Sequence, residues 1–246
     1  MSLLEHCLIP DWPAPPAVHA LQTTRRGGLS ASPFDSLNLG CHVGDDVLVV
    51  NRNRMLLAPL MPSEPVWLNQ VHGIEVVNAG VAGCLPQGDA SMTTRRNAVC
   101  VVMTADCLPI LLCDAAGSVV AAVHAGWRGL CEGVIEAAVH RMQVPPATLM
   151  AWLGPAIGPS AFEVGGEVRE AFVRHDTRAA AAFVAGMPGK WLADIFELAR
   201  QRLHAAGIHH IYGGGVCTYS DPARYYSYRR DGSTGRMGTF IWLSAS

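Results

Sequence analysis

The sequence predicts an α+β domain in which strands and helices form separate layers. Several short apolar segments follow one another before the first strong helical pattern, which argues against strict strand–helix alternation. Half of the 246 residues are hydrophobic, enough for a sizeable core. No repeat, low-complexity tract or linker interrupts the chain, so one domain is expected over residues 1–246.

The strand candidates are Val18–Thr23, Val66–Asn69, Ile74–Asn78, Ala98–Met103, Leu108–Cys113, Val119–His124, Leu149–Leu153, Ile208–Tyr212 and Phe240–Leu243. Each is short, apolar and bounded by Gly, Pro, Asn or Asp. A first helix follows Trp127 and carries Leu130, Val134, Ile135, Ala138 and Met142 on one stripe. A second spans Gly166–His175, with Val168, Phe172 and Val173 turned inward. A third spans Lys190–Ala206, with Leu192, Ile195, Phe196, Ala199 and Leu203 at helical spacing, and Gly207 stands where a left-handed residue ends a helix. The Ala-rich stretch Arg174–Gly189 reads as a helix plus a surface loop.

A formal charge of -2 argues against nucleic-acid or anionic-membrane partners. Arg dominates the basic residues and Lys190 is the only lysine. Arg suits bidentate recognition of phosphate or carboxylate, although genome composition alone can produce the same bias. The start MSLLEHCLIPDWPAPP lacks a basic region and an unbroken apolar run, so no signal peptide is expected. No window reaches the roughly 18 apolar residues of a membrane span. Eight cysteines without a CxxC pair suggest reduced thiols in a cytoplasmic protein, not a closed zinc knuckle.

The stretch TADCLPILLCDAAGSVVAAVHAGWRG, Thr104 to Gly129, reads as a hairpin. Its turn is Asp114-Ala115-Ala116-Gly117. Pairing Cys113 with Ser118 sets Cys107 opposite His124, with Cβ atoms about 4.5–5.5 Å apart. That separation suits two ligands of one metal ion, or a thiol and its base. Pro109 cannot donate to a ladder and requires an edge or outward site. After His124 the chain passes through Gly126, Trp127, Arg128 and Gly129 into a helix. Its start is a natural anion site with Arg128 beside it. In the separate segment WLNQVHGIEVV, His72 at a turn could supply a third ligand, but spacing alone does not bring it there. The plain alternatives are a buried Cys, a capping His and a turn-forming Asp106.

NLGCHVGDD with Asn53-Arg54, NQVHG, TADCLPILLCD, VAAVHAGWRG, GPAIGPSAFEVG and YYSYRRDGSTGRMG match a known pattern in order and spacing. Together they resemble the YfiH family, also called the laccase-domain or multicopper polyphenol oxidase family. Ser160 stands where many relatives have Cys, and Gly238 where Ala is common. The resemblance implies a single-domain αββα sandwich of the YfiH-like type. It implies a metal site of His72, Cys107 and His124, holding zinc, with copper as the other option. It implies purine nucleoside chemistry: phosphorolysis of adenosine, inosine, guanosine and methylthioadenosine, and adenosine deamination. The partners are then a purine nucleoside and phosphate, for a monomer or homodimer.

In this reading phosphorolysis needs Arg on the phosphate, and Arg54 and Arg128 are the candidates. Asp106 could orient His72 or His124, or carry a proton, alongside Cys107 and His124 as catalytic groups. Arg229, Arg230 and Asp231 read as a solvated or loop-fixing ion cluster, not as substrate contacts. One alternative is a metal-free hydrolase with Cys107 as nucleophile and His124 as base, suited to a UDP-MurNAc-amino acid precursor. A copper polyphenol oxidase is another, but multicopper sites commonly use His-X-His pairs, and this chain has none. A binding or scaffold protein without activity is the third.

Overall fold

The computed structural model describes residues 3–245. Its elements in chain order begin with β1 (Cys7–Leu8), β2 (Val18–Thr23), α1 (Val47–Leu57), β3 (Val76–Asn78), β4 (Ala90–Thr93) and β5 (Val99–Thr104). Then come β6 (Leu108–Asp114), β7 (Val120–Ala125), α2 (Trp127–Glu132), α3 (Val134–Met142), β8 (Leu149–Leu153), β9 (Glu163–Gly165) and α4 (Gly166–His175). The remainder are β10 (Phe183–Ala185), β11 (Lys190–Ala193), α5 (Ile195–Ala205), β12 (His210–Gly213), α6 (Tyr228–Asp231) and β13 (Met237–Leu243). A six-stranded sheet runs β12-β8-β6-β7-β4-β3, a four-stranded sheet β1-β2-β13-β5, and a small sheet β10-β11-β9.

Side-chain alternation stacks these into four layers. Leu108, Ile110 and Leu112 of β6 and Ala121, Val123 and Ala125 of β7 face Leu130, Val134, Ile135, Phe172, Phe196 and Leu203 on α2 to α5. The opposite face of the same strands presents Leu111, Cys113, Val120 and Ala122 to Cys100, Val102, Ile241 and Leu243 of the second sheet. The outer face of that sheet, with Leu21, Val101 and Phe240, meets Leu57 of α1 and Leu37, Leu39 and Trp67. This is an αββα sandwich. Each fully buried Leu or Ile in it contributes about 1.5–3 kcal/mol. Among the described residues no helix is long and apolar enough to cross a membrane.

Several elements differ from the sequence reading. The helix expected over Lys190–Ala206 is strand β11 followed by α5, because the Asp194 carboxylate accepts from Phe196 N and Glu197 N and so starts the helix there. Gly207 does take the left-handed conformation after it, with φ 88°. The helix after Trp127 is broken at Gly133, whose φ of 105° separates α2 from α3. Val66–Asn69 is no strand; it makes isolated bridges, Val66 to Cys100 and Asn69 to Gln87. Val173 is half-buried. The stretch Arg174–Gly189 holds a 3-10 turn and β10.

Helix α1 was not anticipated. Its inward stripe of Val50, Asn53 and Leu57 is interrupted by a buried polar residue, which hides the apolar period. Asn53 is satisfied there: its amide donates to Asn38 O and Ser30 Oγ, and its oxygen accepts from Leu29 N.

Candidate metal centre

The β6–β7 hairpin forms, but in a different register. Pro109 lies opposite His124 and Cys113 opposite Val120, so Cys107 is not the partner of His124. The cause is Asp114. Its carboxylate accepts from Ser118 N, Ser118 Oγ and Val119 N, which keeps Ser118 in the turn and lengthens it. The displacement is two residues, and the side-chain period is also two, so Cys107 and His124 keep a common face. Pro109 costs no pairing toward β8, because the β6–β8 ladder ends at Ile110 and Leu153.

At the site end of the layer between the two large sheets, the ligand atoms of His72, Cys107 and His124 lie within 4.8 Å of one another. Cys107 Sγ is 3.9 Å from His72 Nε2, and the two imidazoles meet edge to face with centroids 4.9 Å apart. His124 is buried, Cys107 half-buried and His72 exposed, so the cluster opens to solvent on one side. Among the described residues no other group of His, Cys, Asp or Glu side chains has this form.

The residue that assembles the cluster is Asp89, which the sequence reading missed. Pairing of β4 with β7 places Ala90 opposite Val123, and so Asp89 beside His124. Its carboxylate accepts from His124 Nδ1 at 2.8 Å, and from Val71 N, His72 N and Gly73 N. One carboxylate therefore orients His124 and folds the His72 turn, where His72 has φ 61°. The only local sign was a Gly-Asp pair before an apolar run, common to many turns. Two glycines make room. A Cβ on Gly126 would stand 2.9 Å from His72 Cδ2 and 3.2 Å from Cys107 Sγ, and one on Gly129 would stand 2.6 Å from Gly73 O. At both positions the missing side chain lets the backbone approach its neighbours closely.

Burial alone would push the Cys107 thiol up, but the charge and hydrogen bonds of His124 and His72 outweigh it and bring it down to about 6. Burial alone would lower His124, yet the Cys107 charge and the Asp89 hydrogen bond raise it to about 9. Burial also acts upward on Asp89, which the His124 bond and backbone N–H donors hold below the ordinary carboxylate range. Without a metal the arrangement is a thiolate–imidazolium pair backed by a carboxylate.

Asp106 does not touch His72 or His124. Its carboxylate accepts from Thr218 Oγ1, Ser227 Oγ and Arg229 N, tying the segment before α6 to the residue next to Cys107. It thereby shapes an apolar cleft of about 130 Å³ lined by Cys107, Trp127, Ile157, Phe162 and Tyr228. A larger cavity of about 650 Å³, on the side of Asn69 and Met103, is lined by Cys41, His42, Arg54, Glu64 and Trp67. The Arg54 guanidinium donates to Leu39 O from Nε and Nη2 and stacks 3.8 Å over Trp67. Arg128 is exposed, 5.2 Å over the Trp127 ring, and lines neither cavity. Arg230 fixes a loop, as expected, by donating to Thr218 O, Tyr219 O and Tyr225 O.

Known proteins resemble this chain over nearly its whole length. The family model described as multi-copper polyphenol oxidoreductase laccase matches residues 19–244. A purine nucleoside phosphorylase of Pseudomonas aeruginosa is 55% identical over 96% of this chain and 98% of its own. Purine nucleoside phosphorylase YfiH of Escherichia coli is 54% identical, with the same coverage. A crystal structure of a Neisseria meningitidis protein superposes with a TM-score of 0.94 at 49% identity, covering 98% of this chain and 100% of that one. Similarity this extensive, over a fold and sequence pattern already in agreement, means that the chain belongs to the YfiH family of laccase-domain proteins.

Proposed function

We propose that this protein is a metal-dependent purine nucleoside phosphorylase, acting as one domain over residues 1–246. The observation that carries the reading is the His72–Cys107–His124 cluster, whose Cys107 lines an aromatic cleft, in a chain that also has an arginine-bearing cavity. The relatives named above supply the reaction class. The donor set fits zinc: two imidazoles and a thiolate, a carboxylate behind one imidazole, and an open side for a further ligand. One such cluster does not suit the several coppers of a multicopper oxidase. When bound, zinc supplies a Lewis acid to a substrate oxygen.

The chain's own groups do the rest. Trp127, Phe162 and Tyr228 offer flat faces for a purine in the smaller cleft. Arg54 holds a fixed positive charge in the larger cavity, where phosphate approaches C1′ of the ribose. Substrates then include adenosine, inosine, guanosine and methylthioadenosine, with adenosine deamination as a second reaction at the same cluster. Incubation of metal-analysed protein with a nucleoside panel tests this. Free base formed only with phosphate supports the phosphorylase; no turnover of any nucleoside overturns it, and inosine formed from adenosine without phosphate marks the deaminase.

A second reading has a specific observation in its favour. Cys107, His124 and Asp89 line up as nucleophile, base and orienting carboxylate, with the thiol brought down to about 6. A metal-free amide hydrolase would use them so, for instance on a UDP-MurNAc-amino acid. Stoichiometric zinc that survives dialysis, with activity lost on chelation, rules out that use of Cys107.

A further inference from the structure

The candidate phosphate contact Arg54 has a counterpart that neither composition nor motif reading pointed out. Arg236 precedes β13 and packs its stem against Gly40, where a Cβ would come within 2.8 Å of its Cγ. Its Nη1 donates to Thr234 O and Gly235 O, and its guanidinium lies 5.9 Å over the Tyr228 ring. Tyr228 lines the aromatic cleft together with Cys107, so Arg236 backs one wall of that cleft without lining it. The charges of Cys107 and Asp106 both act on it.

Arg54 and Arg236 are held in the same way, on neighbouring stretches of backbone at Leu39 and Gly40. Each is pinned by part of its fork to backbone carbonyls, Arg54 to Leu39 and Arg236 to Thr234 and Gly235. Among the described residues neither forms an ion pair. The nearby acids are engaged elsewhere: Glu64 accepts from Trp67 Nε1, and Asp106 accepts three other donors. The chain from Leu39 to His42 runs between the two arginines, and His42 is exposed on the wall of the larger cavity. Burial first, and then the Arg236 and Arg54 charges, lower the pKa of His42. Two immobilised guanidinium groups without a carboxylate partner, held against Leu39 and Gly40 just ahead of His42, offer charged N–H donors to a small dianion.

Resting on the phosphorylase reading, we propose that Arg236, with Arg54 and His42, forms the subsite for inorganic phosphate next to the metal ligands, and that Arg128 is not part of it. Calorimetric titration of inorganic phosphate into the purified, metal-analysed protein tests this without requiring turnover. Arg236→Gln and Arg54→Gln each weaken phosphate binding about tenfold or more, as loss of a charge-assisted contact should. Arg128→Gln leaves it unchanged, and Arg236→Lys, which keeps the charge, recovers part of the loss. Thermal melts and far-ultraviolet spectra confirm that each variant is folded; if Arg236→Gln is not, the Lys variant and Arg54→Gln carry the test. In turnover assays the apparent KM for phosphate rises in parallel while that for the nucleoside stays within about twofold. Unchanged phosphate affinity in folded Arg236→Gln overturns the subsite, as does a wild type that binds no phosphate. Phosphate binding that depends on Arg236 in a protein that cleaves no nucleoside sinks the phosphorylase reading and leaves the subsite standing.

Discussion

His124 Nδ1 donates a 2.8 Å hydrogen bond to the Asp89 carboxylate. An ionised carboxylate only accepts, so the proton sits on Nδ1 and Nε2 is left as the ligand atom. Asp89 thus fixes the tautomer that the cluster needs.

Asp89→Asn removes that constraint, because an amide can present its NH₂ to Nδ1 and favour the wrong tautomer. Zinc affinity is expected to fall about 10–100-fold. Competition with a chromophoric chelator measures it; affinity equal to wild type would show that Asp89 serves the backbone of the His72 turn alone.

In metal-free protein the Cys107 thiol ionises early. Its reaction with iodoacetamide should be slow in acid and rise with pH through a midpoint near about 6. His124→Ala removes the strongest counter-charge, so the midpoint moves up toward the ordinary thiol range. Mass spectrometry of the alkylated peptide distinguishes Cys107 from the exposed Cys41 and Cys84.

Gly126→Ala would place a methyl 2.9 Å from His72 Cδ2 and 3.2 Å from Cys107 Sγ. The neighbours can yield only by spreading the cluster. Metal affinity and activity should drop together, while the melting temperature changes little, since Gly126 has an ordinary extended conformation with φ -68°. A variant with full metal content and activity refutes this account of the glycine.

Asp106→Asn weakens the carboxylate's bonds to Thr218, Ser227 and Arg229. Bonds to a charged acceptor are each worth about 1.5–3 kcal/mol, so a loss of about 2 kcal/mol or more is expected in denaturant unfolding. Nucleoside KM should rise as the Tyr228 wall of the cleft loosens, with zinc affinity less affected than in Asp89→Asn.

The site was legible in sequence to the extent that it depends on parity. Cys107 and His124 carry positions of one face in adjacent strands, and a register error of two residues left that face intact. The register itself was not legible, because it follows from where the Asp114 side chain finds donors. Asp89 was hidden for a related reason: its role arises from β4 lying against β7, a pairing between segments with no shared local signal. The apolar strands β6, β7 and β8 announced themselves, since burial on both faces demands continuous hydrophobicity. Helix α1 did not, since Asn53 breaks its stripe to serve the loop bearing Asn38.

Strand β13 lies between β2 and β5, with Thr239 bonded to Gln22, 217 positions away. The second sheet therefore cannot close by local zippering. Strand β13 can pair with β2 only by closing a loop of about two hundred residues, which carries a larger entropy cost than a hairpin. Arg236 and the segment clasped by Asp106 lie just ahead of it in the chain. The walls around Cys107 are thus built from both ends of the chain, and any partly unfolded form that releases β13 also frees Arg236 from its place beside Gly40.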